Sequence, residues 1–364
     1  MKKYLWVILV VIAVLALTGC GKKNTDEEVV VTEESTEPTT ETVIETEEET
    51  EEVVDEEEIP EGYVKSRLTG LHVKEEIGTK RPYALMLSNV KEVNPQSGIS
   101  QASIIYEALV EGGITRMMGL FEDFDSDRIG SIRSGRQYFA SIADEHNAIF
   151  VSYGESAYCT EKIAELGLNQ LSGLKGEGST VFYRDKSLKA PHNAFASKEG
   201  ILKGTEIRKY NTEYDNSLNN HFTFAGKEFD LESDQNVNKL SIKFSSYQSP
   251  YFTYDASNKV YKRFQYGGEH IDANTGNQLE FKNIIVQFVQ GFSIDETKTF
   301  SFKKASGQGF YISNRKAIPV TWDKNEQDRS MVYYGPDGNI LKMNPGKTYI
   351  AVFPADRQSD IVIE

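Results

Sequence analysis

The chain has 364 residues, 39% of them hydrophobic and 26% charged, with a formal net charge of −15 and two cysteines. That length and apolar content suit about two domains with cores of their own, which excludes a chain that is disordered throughout. Two cysteines exclude a disulfide-rich scaffold and a multi-cysteine metal site, and the negative balance argues against nucleic-acid binding.

The chain opens with the pattern of an export signal. Lys2 and Lys3 precede an apolar run from Tyr4 to Leu17, which ends in Leu17-Thr18-Gly19-Cys20. The run is shorter than the ~20 residues of a spanning helix and stops at small residues before a cysteine. It resembles a bacterial lipoprotein lipobox. Residues 1–20 are therefore expected to hold a lipoprotein signal peptide with its lipobox ending at Cys20, cleavage before that cysteine, and lipid, palmitate included, on it. Stable anchoring needs more than one acyl chain. An uncleaved anchor helix is the alternative, and either places the remainder outside the cytoplasm at the cell membrane.

Residues 21–61 read as an acidic, disordered linker: Asn24 to Glu61 carries 18 acids and no base. Such a stretch cannot bury a core, and its like charges repel. About 40 residues span roughly 35 Å as an ideal coil and about 140 Å fully extended, enough to lift a folded body off a membrane. Removing these 18 acids and the four preceding lysines from the total of −15 leaves −1 for Gly62 onward. The acidity belongs to the linker, and a plain spacer is the simpler reading than a cation- or partner-binding tail.

Residues 62–215 mix helix and strand patterns. Tyr83 to Ser88 is a compact apolar run after Arg81-Pro82, the mark of a buried strand. Ser103–Val110 and Ile114–Phe121 form a hairpin around Glu111-Gly112-Gly113, with a helix as the alternative for the first run. Ser134, with Gln137 three residues on, reads as a helix cap, followed by Tyr138, Phe139, Ile142, Ala143 and His146 at helical spacing. Ala148–Tyr153 returns as a strand, and Glu161–Leu166 and Lys198–Arg208 are further helices. Residues 216–364 change to short alternating runs of Tyr, Phe, Val, Ile and Thr between turns such as Asn274-Thr275-Gly276-Asn277, which predicts a mostly antiparallel β-rich domain. The expected class is α+β: an N-terminal mixed α/β domain followed by that β-rich one.

Several of these stretches carry a resemblance. Arg81-Pro82, Asn89, Pro95-Gln96-Ser97-Gly98, Tyr106-Glu107-Ala108, Val110 to Arg116 and Ile129 to Arg136 resemble the YerB-like bacterial lipoproteins. His270-Ile271-Asp272, Thr275-Gly276, Lys282 to Val286 and Asn344 to Lys347 resemble that family's C-terminal part. The resemblance implies a two-part surface lipoprotein and supplies no catalytic residues to carry over.

The strongest local chemistry is Arg133-Ser134-Gly135-Arg136 at a predicted helix start. Unpaired helix amides and two guanidiniums suit a phosphate or carboxylate. Arg116, Arg128 and Arg184 are possible additions, and structural ion pairs with Glu107, Glu111, Glu122 or Asp125 are the competing reading. Glu107 and Glu111 invite a glycosidase reading. On a strand they would lie about 13 Å apart, beyond the ~5–9.5 Å that chemistry uses, whereas a helix would bring them close. Ala190-Pro191-His192-Asn193 offers a loop histidine as acid, base or ligand-orienting group. His270 and Asp272 alternate as two metal ligands would, which is too few for a site, so neither a metal nor a cofactor is expected. Cys159 reads as a buried, inert thiol rather than a thiolate activated by His192. Trp322, Tyr247, Tyr251, Tyr254, Tyr261 and Tyr266 are either core residues or a sugar-stacking surface.

The reading that follows is a lipid-anchored binding protein of the cell envelope, facing outside the cytoplasm and held to the membrane through Cys20. It would take an anionic envelope ligand or an envelope protein at Asn89, Arg116, Arg133, Ser134, Arg136, His192 and Asn193. A cell-wall hydrolase or transferase using Glu107, Glu111 or His192 is the alternative, so catalysis stays open at this point.

Overall fold

The computed structural model describes residues 58–294, 300–303, 306–324, 329 and 331–364; the expected signal peptide, Cys20 and the acidic segment to residue 57 lie outside them. All described residues belong to one compact unit, Val54–Glu364. Among them no helix is long and apolar enough to cross a membrane.

The apolar run Tyr83–Ser88 is buried along its whole length because it lies inside a large mixed sheet with both faces covered. Its alternation divides the core. Leu85 and Leu87 belong to one apolar cluster and Ala84 and Met86 to the other. The second cluster receives Phe139 and Ile142 of helix Gln137–Glu145 and Ile163 of helix Ala157–Leu166. The first receives Ile201 of helix Lys198–Ile207 together with Leu240, Ile242, Phe252 and Tyr261 of a second, six-stranded antiparallel sheet. The architecture is α+β, with antiparallel and mixed sheets.

The order of the eleven-stranded sheet shows how the two sequence parts meet. Strand Thr348–Pro354 pairs in parallel with Ile104–Leu109 on one side, in register Thr348 to Ile104, and with Asn283–Ser293 on the other. One hydrogen-bonded ladder therefore runs through residues from both halves. The hairpin forms as its glycines dictate: Gly112 and Gly113 have φ of +71° and +75°, and Ile104–Leu109 pairs antiparallel with Thr115–Phe121. Ile104–Leu109 is thus a strand, and the helical alternative that would have brought Glu107 and Glu111 together does not arise.

The helix expected near Ser134 begins at Gln137, with Arg136 at the N-cap position and no side-chain cap. Ser134 does not cap it, because its Oγ donates to the Tyr153 carbonyl at 3.2 Å. Ser156 does cap the next helix, accepting from the Cys159 amide.

Candidate anion site

Three short segments converge at the carboxyl end of the parallel pair Tyr83–Ser88 and Ile149–Ser152, the end where open α/β sheets place ligands. Arg116 stands near the start of Thr115–Phe121, opposite Ser88. The segment after Gly130 is tied to the same strand end: Ser88 N donates to Ser131 O at 2.9 Å, and Arg133 N donates to Met86 O at 2.8 Å. Gly135 N then donates to Gly154 O at 2.9 Å, which brings Arg136 beside the cluster. A Cβ at Gly135 would lie 2.7 Å from the Phe150 ring and 3.0 Å from Cys159 Sγ, so only glycine fits between the two arginines.

The charges do not balance. Arg136 makes a two-pronged ion pair with Glu111, Nε to Oε1 at 2.6 Å and Nη2 to Oε2 at 2.8 Å. Arg116 donates to the Ser134 carbonyl, and Arg133 donates to Pro191 O at 3.0 Å. Neither has a carboxylate within ion-pair distance among the described residues. Burial, then the nearby Arg136 and Arg133 charges, lowers Arg116 to about 9, so it remains a cation at neutral pH. Burial and Arg136 lower Arg133 as well. Burial alone would raise Glu111, but its hydrogen bonds from Arg136 more than offset this and hold the carboxyl below its ordinary value.

His192 adjoins this group, with Nδ1 3.5 Å from Arg133 Nη1. Burial and the Arg133 charge lower its pKa, so the ring is neutral near pH 7. Asn193 sits behind it, accepting from Arg184 Nη1 at 2.7 Å and closing the loop through Asp185. Arg128 is taken up elsewhere, paired with Asp185 at 2.8 Å and stacked 3.6 Å from the Phe195 ring. Arg116, Arg133, Ser134, Arg136 and His192 therefore come together, with Asn193 as a support.

Asn89 lies deeper, in a buried polar network that sequence reasoning missed. Its Nδ2 donates to Glu107 Oε1 and to Thr115 Oγ1, both at 2.8 Å, and its Oδ1 accepts from Gln96 and Gln265. Glu107 is fully buried and accepts four bonds: Asn89 and Thr115 on Oε1, Arg263 and Tyr349 on Oε2. A carboxylate so occupied has no open face for a substrate. Glu111 is engaged with Arg136 instead, so the two carboxylates serve different arginines and do not assemble an acid–base pair.

The remaining candidates are structural. His270 is buried against Arg263 and Gln96, and Asp272 holds the Gly98–Ser100 turn by accepting from Gly98 N, Ser100 N and Ser100 Oγ. Cys159 is buried and burial pushes its thiol up to about 12, away from a reactive thiolate. Trp322 and Tyr261 are interior and unavailable to a sugar, whereas Tyr247 is exposed.

Fold and site together define a class: a two-part α+β protein in which one sheet joins both parts and an arginine cluster lies at its strand ends. Two family models match it. The N-terminal domain of a protein of unknown function (DUF3048) spans residues 68–212, and the C-terminal domain of the same family spans 240–350. The Bacillus subtilis (strain 168) protein named "Putative lipoprotein YerB" is 27% identical over 299 residues, covering 80% of this chain and 86% of that protein. The crystal structure of YerB protein from Bacillus subtilis matches with a TM-score of 0.73 at 26% identity, covering 83% of this chain and 99% of that chain. The chain belongs to this YerB-like, two-part lipoprotein family of unknown function.

Proposed function

We infer that this lipoprotein is anchored by lipid on Cys20, faces outside the cytoplasm, and binds an anionic component of the cell envelope at Arg116, Arg133 and Arg136. The observation that carries the reading is the charge imbalance of the cluster. Three partly or largely buried guanidiniums share one carboxylate, Glu111, and two of them have no acid partner among the described residues. Desolvated cations held close together by strand ends repel one another, and an anion relieves that repulsion while gaining charge-assisted hydrogen bonds. The 18 acids of the linker carry like charges and act as a self-repelling spacer.

The test is thermal unfolding of the full chain in detergent micelles with phosphate- and carboxylate-bearing compounds. A ligand at 100 times its dissociation constant adds about 2.7 kcal/mol of stability. The reading requires a shift with anions that is lost in Arg133→Ala/Arg136→Ala. Absence of a shift with every anion rejects it. Incorporation of labelled palmitate that disappears in Cys20→Ser tests the anchor.

A further inference from the structure

A cleft of about 330 Å³ opens beside the arginine cluster, and His192 belongs to both. The segment Gly130–Arg133 forms the link. From Ser131 to Arg133 it runs extended beside Tyr83–Ser88, with Ile132 N donating to Ala194 O at 2.7 Å and Ile132 bridged to Leu87. Alternation along such a segment sends Ile132 into the apolar core and sets Ser131 and Arg133 on the opposite face, about 7 Å apart. Arg133 belongs to the cationic cluster, and Ser131 lines the cleft.

The polar groups of the cleft differ in kind from the cluster. Ser131 is only 1% exposed, and its Oγ has no hydrogen-bond partner among the described residues. The Oδ1 of Asn94, also in the lining, is buried and likewise without a partner among the described residues. Native interiors rarely leave such atoms unmatched, so an unmatched pair in one cleft is what a bound ligand would satisfy. Of the charged residues in the wall, Arg128 is already met by Asp185 and Glu92 is an exposed carboxylate. The cleft itself therefore offers no free cation and calls for an uncharged, hydrogen-bonding body.

The required chemistry can be specified further. An amide oxygen only accepts, so Asn94 needs a donor; a serine hydroxyl donates or accepts. His192 is neutral with Nδ1 facing the Arg133 guanidinium, which leaves Nε2–H as the ring's donor. Hydroxyl groups meet all three requirements. We propose that the cleft and the cluster form one site for a hydroxyl-rich sugar or polyol unit bearing a phosphate or carboxylate: the anion lies on Arg133 and its neighbours, and the hydroxyls lie against Ser131, Asn94 and His192. This rests on the anion-site reading and adds the identity of the body attached to the anion.

The experiment is calorimetric titration of the full chain with inorganic phosphate, glucose, glucose 1-phosphate and glucuronate. The sugar anions are expected to bind about ten-fold or more tightly than inorganic phosphate, a gain of about 1.4 kcal/mol. Ser131→Val, which replaces the hydroxyl with methyl groups at the cleft wall, should erase that gain and leave phosphate affinity unchanged, so retained phosphate binding also reports a folded variant. Ser131→Ala should weaken the sugar anions several-fold while leaving the unfolding temperature unchanged or higher, since it deletes an unmatched hydroxyl. Equal affinity for phosphate and both sugar anions, or a Ser131 variant that weakens phosphate to the same degree, overturns the inference while leaving the anion site standing. Loss of binding to all four compounds overturns both.

Discussion

Arg263 donates through Nη2 to Oε2 of Glu107 at 2.7 Å, with both side chains fully buried and 156 residues apart in the chain. The pair ties the second, antiparallel sheet to the central one. Tyr349, Thr115 and Asn89 complete the carboxylate, so the charge is surrounded by donors rather than by solvent. Removing one member of such a pair leaves an uncompensated buried charge. Glu107→Gln or Arg263→Met should therefore lower unfolding stability by about 3–5 kcal/mol, read as a shift of the denaturant midpoint. A change below about 1 kcal/mol in both variants would contradict this role.

His270 gives that network a pH dependence. Burial, and then the Arg263 charge, holds its pKa well below the ordinary 6.5, so the folded ring stays neutral where the unfolded ring takes a proton. The unfolded state then binds more protons, and stability falls as pH drops below 6.5 toward the folded value. The expected slope is about 1.4 kcal/mol per pH unit for one proton. His270→Gln should flatten this slope in denaturant titrations over that window. His192, lowered in the same direction, is the control: His192→Gln should remove a smaller part of it.

Glu111 separates binding from hydrolysis. It neutralises Arg136 through two hydrogen bonds. Glu111→Gln removes that charge, so inorganic phosphate should bind about three- to ten-fold more tightly at low salt. A hydrolase using Glu111 would instead lose turnover of wall fragments. Weaker phosphate binding in a folded Glu111→Gln variant would contradict the role assigned here.

Cys159 should react only on unfolding. Its burial and a thiol raised to about 12 leave almost no thiolate at neutral pH. Alkylation of the native full chain should proceed at the rate of global opening and accelerate in step with denaturant. Rapid labelling of the folded chain at this cysteine would show that the wall behind Gly135 is open.

Much of the local structure was legible because local physics decides it. The buried run Tyr83–Ser88, the two-glycine turn after Glu111 and the helix beginning near Arg136 each follow from neighbouring residues. The cluster of Arg116, Arg133 and Arg136 was legible in part, since Gly135 signals a close approach of backbone and side chains. Ser134 misled because a serine three residues before a glutamine can serve either as a cap or as a link to another strand, and here its hydroxyl donates to the Tyr153 carbonyl. Ser131 was missed, although its alternation with Ile132 and Arg133 was a usable signal. Nothing local announces that Arg263 reaches Glu107, that Asp272 holds Gly98 and Ser100, or that Thr348–Pro354 lies beside Ile104–Leu109. Those pairings depend on the register of strands distant in sequence, which period-two patterns leave undetermined.

The most direct measurement is titration of inorganic phosphate into the full chain in detergent micelles at low and high salt, alongside Arg133→Ala/Arg136→Ala. Saturable one-site binding that weakens with salt, and falls by about ten-fold or more in the double variant, is the predicted result. Binding that is absent, or equal in both proteins, would contradict the assignment of the arginine cluster as an anion site.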